Sequence, residues 1–499
     1  MKRLKAILGA LAIVGLAVPF AGCGDEAETT VTLRVSSWEE YIDLGEWDEE
    51  EAIDLDGLTI CPENSMVDDF TEWFNGNDFG FKVKVEYSTF GTNEDLYNRL
   101  SLGDTYDLVC PSDYMIMKLL AEEKLEKYSE EFLENGTYTQ NVSPYIAEVY
   151  REYGWTEYAA CYMWGTSGFV YNPESLVNER DISSCEILLN RDYNRAVTIK
   201  DNVRDAYFAT LSIIYNEQLN AGGLTSEQLS AYLNDTDSAT IKKAEDVLKD
   251  IKDNVYSFET DSGKADMVTG KVVANYQWSG DAVYIMDEAD ADDTELWYSV
   301  PEECSNLWFD GWVMLKDGIK GNEQRRVAAE AFVNFLAEPE NAIRNMYYIG
   351  YTSAIATDTV FEYLEWNYGL EDEDEEGYPY NLNYFFGGEG DEYIVYADAE
   401  NFAFDGGEIN RGRQLFAQYP PSNVIGRSVV MLDFGDKLAE INQMWINVRC
   451  PDLKDVNPAI WGVVGGIAGV SAIAICLYIF RHKIFFNYRP KKGYEKVEI

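Results

Sequence analysis

The sequence predicts an α/β fold in two lobes, and three observations predict it. At 499 residues the chain exceeds the roughly 250–300 residues at which a single core stops growing. A hydrophobic content of 46% with 35 Tyr supplies apolar surface for two cores and rules out general disorder. Short strand patterns also alternate with helix patterns in two successive runs, the signature of wound, mostly parallel sheets.

The first run opens with an alternating strand over residues 31–38, which leads into Trp38-Glu39-Glu40-Tyr41. From Asp43 to Asp56 there are eight acids and no base, so 43–63 is expected to be an exposed insertion. A helix over 65–74, a strand over 81–87 and a loop over 88–92 follow. The next helix, 93–102, has Asn93 as its expected cap. A strand over 106–110 then gives way to the turn Pro111-Ser112-Asp113-Tyr114 and a helix over 115–122. Ligands of wound sheets sit beyond the carboxyl ends of strands, where Trp38–Tyr41 and Ser112–Tyr114 both fall.

Residues 158–171 include Met163-Trp164-Gly165-Thr166-Ser167-Gly168, a glycine-punctuated crossing read as a hinge between lobes. The second run has a strand over 196–200, helices over 203–219, 226–233 and 238–253, and a strand over 272–278. A strand over 306–315 carries Trp308 and Asp310. Strand side chains alternate, so the two project from one side, an indole face beside a carboxylate. That pairing suits an organic ammonium, which the ring attracts and the acid neutralises. Taken alone it equally describes a core Trp beside a solvated acid. Helices over 323–336 and 339–348 come next. Residues 345–410 hold no Lys or Arg, and 358–410 is expected to be a second solvated, acidic insertion. A helix over 436–448 closes the run.

The ends carry their own signals. Lys2, Arg3 and Lys5, an apolar run from Ala6 to Val18 and small residues before Cys23 make residues 1–22 a secretory signal. Phe20-Ala21-Gly22-Cys23 resembles a bacterial lipobox, which implies lipidation of Cys23. Residues 459–480 carry no charge and are long enough to be a transmembrane helix. The basic tail 481–499 behind them is expected in the cytoplasm and the bulk outside. Outside the cell, Cys61, Cys110, Cys161, Cys185, Cys304 and Cys450 meet a disulfide-permissive space, with no pairing favoured.

Composition narrows the chemistry. Lys+Arg 39 against Asp+Glu 89 gives a net charge of −50, which excludes nucleic acid as a partner and favours cations. The only histidine, His482, lies in the tail, so the ectodomain lacks a Ser-His-Asp or Cys-His arrangement and a histidine metal site. Asp372, Asp374 and Glu376 have calcium-loop spacing, but the twelfth position is Asn383 where a Glu is required. No metal or cofactor is expected, and no carboxylate pair is singled out for hydrolysis. The chemistry points to binding, not to an enzyme.

Five ordered motifs sharpen this: Trp38-Glu39-Glu40-Tyr41, Tyr87-Ser88-Thr89-Phe90-Gly91-Thr92-Asn93-Glu94, Tyr106 through Tyr114, Tyr162-Met163-Trp164-Gly165, and Trp308-Phe309-Asp310. Together they resemble bacterial spermidine/putrescine-binding proteins, the extracellular receptors of ABC importers. The resemblance runs from about Thr32 to Arg449. It implies a bilobal periplasmic-binding-protein fold (type II), with lobe 1 at 31–163 and 310–355 and lobe 2 at 166–307 and 356–450. It also implies a polyamine ligand, an ABC permease with its ATPase as partners, and membrane attachment through the lipid and the C-terminal transmembrane helix. Carried over by position, Trp38, Glu39, Glu40 and Tyr41, Ser112 and Tyr114, Asp205, Trp278, Trp308 with Asp310, and Tyr351 line the cleft. Asn202 stands where the resemblance expects an acid, and a glutamine expected near the last helix is replaced around Met431. Two other readings stand beside it: a tethered polyamine or cation sensor of the same fold signalling through its span, and a non-catalytic adhesion or scaffold protein that uses the acidic surface and needs no cleft.

Overall fold

A computed structural model describes residues 29–370 and 377–450. Strand β1 (Thr30–Trp38) lies parallel to β2 (Lys82–Phe90), with Val35 opposite Tyr87 and Trp38 opposite Phe90. On its other side β1 pairs in parallel with the short β3 (Leu108–Val109). Parallel strands cannot be joined by a tight turn, so helices make the connections. Helix α1 (Met66–Gly76) buries Met66, Phe70 and Phe74, one face at helical spacing, and Ser65 caps it by accepting from the Asp68 amide. Helix α2 (Asn93–Leu102) is capped by Thr92, not by Asn93 as the sequence suggested, and α3 (Asp113–Ala121) follows Ser112. The expected loop after residue 87 is strand instead, because β2 stays paired with β1 out to Phe90.

Two long strands cross the molecule. β4 (Ala159–Tyr171) and, later in the chain, Ser305–Leu315 run antiparallel, from Leu307 opposite Thr166 to Val313 opposite Ala159, and every residue of both is buried. In the second half, β5 (Val197–Lys200) lies parallel to β6 (Ala274–Trp278), and β6 runs antiparallel to β4. With Ser305–Leu315 as β7, one sheet passes through both halves. The predicted parallel winding is found within each half, and β4 and β7 pair antiparallel where the chain crosses. Gly165 serves close packing at this crossing, since a Cβ there would lie 2.5 Å from the Trp308 indole and against the Ser279 hydroxyl.

Helix α4 (Val203–Ile214) follows β5, and α5 (Ser238–Asn254) packs beside it. Helix α6 (Ser279–Asp290), absent from the sequence reading, starts directly at the end of β6. Then come α7 (Glu323–Leu336), α8 (Pro339–Ile349), α9 (Asp358–Tyr368) and α10 (Leu438–Arg449). The buried apolar residues form two clusters. One is built around β1, β3 and α7, the other around Phe169, Ile199, Phe208, Leu248 and Ile441.

Neither acidic stretch is merely solvated surface. Asp43 is fully buried and ion-paired with Arg344, and Ile53–Leu55 and Leu58–Ile60 form a hairpin. In the later stretch Tyr363, Tyr380, Phe385 and Phe386 are buried in the first cluster, the last three within 377–388, a segment free of Asp and Glu. The calcium-like spacing falls largely in 371–376, outside the described residues, as do Cys23 and the signal segment. Cys61, Cys110, Cys161, Cys185, Cys304 and Cys450 are free thiols.

The expected fold class is corrected in one respect. Among the described residues no helix is long and apolar enough to cross a membrane. The longest, α5, has 17 residues and is amphipathic, with Lys242, Lys243 and Asp246 on its open face. The described residues thus form the bilobal α/β body alone, and the segment 459–480, where the transmembrane helix is expected, lies outside them.

Candidate ligand-binding cleft

Asp310 is the centre of the site. It sits on β7 at a bulge, 7% exposed, and Tyr41 Oη donates to its Oδ2 at 2.7 Å. Ser112 bridges it from the adjacent loop. Burial pushes the carboxyl up to about 6, and the hydrogen bonds from Ser112 and Tyr41 oppose that rise. Around it stands a chain of rings: Tyr41 meets Tyr351 edge-on with centroids 5.1 Å apart, and Tyr351 meets Trp308 at 5.6 Å. The Trp308 indole N–H donates to the Thr166 carbonyl at 3.1 Å, so Trp308 is a fixed wall beside Asp310. The alternation read from the sequence therefore does bring this ring and acid to one side of the strand.

A second group organises around Asn93. Its Nδ2 donates to Tyr114 Oη at 2.8 Å and to Ser112 Oγ at 3.1 Å, while its Oδ1 accepts from the Ser112 amide at 3.1 Å. Tyr114 Oη also reaches Glu94 Oε1 at 3.3 Å. Trp38 packs on Phe90 at 4.8 Å, and its buried indole N–H has no partner among the described residues. Glu39 and Glu40 are exposed at the rim, Glu40 with a φ of 53°.

The facing wall comes from the second half. Asn202 caps α4 by accepting from the Arg204 amide at 2.8 Å, which orients the first turn. Asp205, in that turn, accepts from Trp278 Nε1 at 3.1 Å. Burial pushes its carboxyl up to about 6, opposed by the Trp278 bond and by Lys200 and Arg204. Arg204 spans the cleft. Its guanidinium carbon lies 3.5 Å from the Tyr114 ring centre and 4.2 Å from that of Phe434, and it pairs with Asp433 at 3.2 Å. Tyr351 Oη donates to Asp281 Oδ1 at 3.1 Å, a second link between the walls.

Sequence reasoning missed several of these groups. Asn93 was read only as a cap. Asp113 is buried, accepts from the Phe309 amide at 3.1 Å and is pushed up to about 8 by burial, so it is largely protonated at neutral pH. Lys200 and Arg204 flank the quoted Asn202 and Asp205, and only their charge signalled them. Asp281 lies three residues after Trp278, in the helix the reading omitted. Met431 is buried in the second cluster.

Two half-sheets joined by crossing strands, with aromatic walls and buried carboxylates where they meet, frame a cleft of a size and lining that suit a small solute. The chain matches the model described as bacterial extracellular solute-binding protein over residues 65–362, and it belongs to that family. The spermidine/putrescine-binding periplasmic protein of Salmonella typhimurium is 26% identical over 271 residues, 54% of this chain and 70% of the relative. The putrescine-binding periplasmic protein of Pseudomonas aeruginosa is 25% identical over 353 residues, 68% and 82% of the two chains. Among solved structures, a spermidine/putrescine ABC transporter substrate-binding protein from Streptococcus pneumoniae (TM-score 0.53, 22% identity) shares the fold over 84% of this chain and 98% of its own. A Listeria monocytogenes structure described as a spermidine/putrescine ABC transporter does so over the same shares (TM-score 0.56, 21% identity).

Proposed function

We propose that this protein captures a polyamine outside the cytoplasm and delivers it to the permease and ATPase of an ABC importer, without catalysing a reaction. The observation that carries the reading is Asp310, a buried carboxylate ringed by Tyr41, Tyr351 and Trp308. A polyamine is an apolar chain bearing ammonium groups, and each buried ammonium needs a carboxylate or several acceptors to offset several kcal/mol of lost hydration. Asp310 and Asp205 meet that need, and the rings cover the methylenes while adding roughly 0.5–2 kcal/mol per desolvated cation–π contact. Trp38, Tyr41, Ser112, Tyr114, Trp278 and Tyr351 complete the lining. The names of the Salmonella and Pseudomonas relatives support the same ligand class. Ligand exchange requires the walls to part, with Arg204–Tyr114 and Tyr351–Asp281 as the contacts that break.

Calorimetric titration of the purified protein with putrescine, spermidine, spermine, lysine and arginine tests this. Saturable heat with at least one polyamine, and none with the amino acids, is expected. Binding of the amino acids alone, or of nothing in the series, rejects the reading.

A further inference from the structure

One end of the cleft already holds a cation. Lys200 is the last residue of β5, beside the end of β6 that carries Trp278, and it is 1% exposed. Its Nζ lies 4.0 Å from the centre of the Trp278 indole, donates to the Thr260 carbonyl at 2.8 Å and stands 3.4 Å from Asp281 Oδ2. The other oxygen of Asp281 is occupied too, by Lys264 at 3.0 Å and Tyr351 Oη at 3.1 Å. Burial alone would raise the Asp281 carboxyl, but Lys200 and Lys264 outweigh it and hold the group below the ordinary carboxylate range. Asp281 is thus an anion answered by two lysines of the chain itself.

We propose that Lys200 determines ligand length: its ammonium takes the seat on Trp278 and Asp281 that a third ligand ammonium would use, so the site favours a diamine over a triamine. The inference rests on the amine reading of the Asp310 site given above. Three physical facts support it. The indole face toward Lys200 is covered. Asp281, beside that face, has both oxygens engaged, and a further cation there would meet two like charges in a desolvated place. Asn202 adds no charge at this wall, and its Oδ1 is spent on the amide of Arg204. Of the buried cleft carboxylates, Asp310 and Asp205 are left for ligand charge, and the half-buried Glu94 stands beside Tyr114 and Asp205.

Calorimetry with putrescine and spermidine on the parent and on Lys200→Met, Lys200→Thr and Lys200→Arg tests this, with thermal melts to confirm folding. In the parent, putrescine binds about tenfold more tightly than spermidine, the order expected when one ammonium is left unpaired. Met and Thr free the indole face and one Asp281 oxygen, so the preference narrows by about tenfold or reverses, while Arg keeps the cation and the parent's preference. Should Met and Thr, folded and still binding both ligands, keep the parent's ratio within about threefold, the Lys200 inference falls while the amine reading stands. The inference falls likewise if Arg shifts the ratio as Met does, since packing would then be the cause. A parent that binds neither amine removes the amine reading and this inference together.

Discussion

At the scale of single residues, the two carboxylates that serve the ligand lie close to their switching point. Asp310 and Asp205 each titrate near about 6, where burial has lifted them from 3.8. A raised carboxyl is favoured in its protonated form by the fold. For the ligand-free protein the contribution of each is therefore fully present below about pH 4 and lost as pH rises through about 6. Amine binding has the opposite sign, because it needs the ionised form, while the diamine keeps both charges throughout this range. The dissociation constant of putrescine is thus expected to rise about tenfold or more between about pH 7.5 and about pH 5. Asp310→Asn, which cannot titrate, should bind about tenfold or more weakly at neutral pH and lose part of that pH dependence. A flat profile for the parent, or an unchanged affinity in the variant, would refute the assignment of Asp310. This pairing was legible in the sequence because alternation puts Trp308 and Asp310 on one face. Its partners Tyr41 and Ser112 were legible only through motif order, since nothing local says which distant loop closes on a strand.

At the scale of elements, regular patterns were readable and long-range demands were not. Helices α1, α2 and α7 and strand β7 follow from spacing alone. Helix α6 escaped because it begins without any break at the end of β6, with Trp278 itself as the preceding residue. Net charge over the acidic stretches hides their buried apolar residues, Ile53 and Ile60 in the first and the ring-rich, acid-free 377–388 in the second. Asn93 shows the limit most clearly. Local sequence makes it a cap, yet Thr92 takes that role and releases the Asn93 amide to bind Ser112 and Tyr114. Asn93 is 2% exposed, and Asn93→Ala leaves the Ser112 amide without its acceptor and the Tyr114 hydroxyl with Glu94 alone. That should cost about 1–3 kcal/mol in urea unfolding and weaken amine binding with it. A variant as stable as the parent would show that the loop is held by other contacts.

At the scale of the whole molecule, the sequence's net charge of −50 has a kinetic consequence and hardly an energetic one. Charge spread over a solvated surface raises the local concentration of a small dication and speeds its arrival, while the closed site sets how long it stays. The rim fits this division, for Glu39 and Glu40 are exposed, whereas Asp205, Asp281 and Asp310 are buried. If Glu39 replaced the acid missing at Asn202, it would have to leave solvent and face Asp205; it is instead at the surface. Stopped-flow binding of putrescine should therefore show an association rate that falls several-fold between about 0.02 M and about 0.2 M salt, as the Debye length shrinks to below ~10 Å. The dissociation rate should change little. Glu39→Gln should act in the same channel, slowing association slightly and changing affinity by less than about threefold, as an exposed charge does. A tenfold loss of affinity carried by the dissociation rate would mean that Glu39 turns inward on the bound amine, and would make it part of the site and not of the field around it.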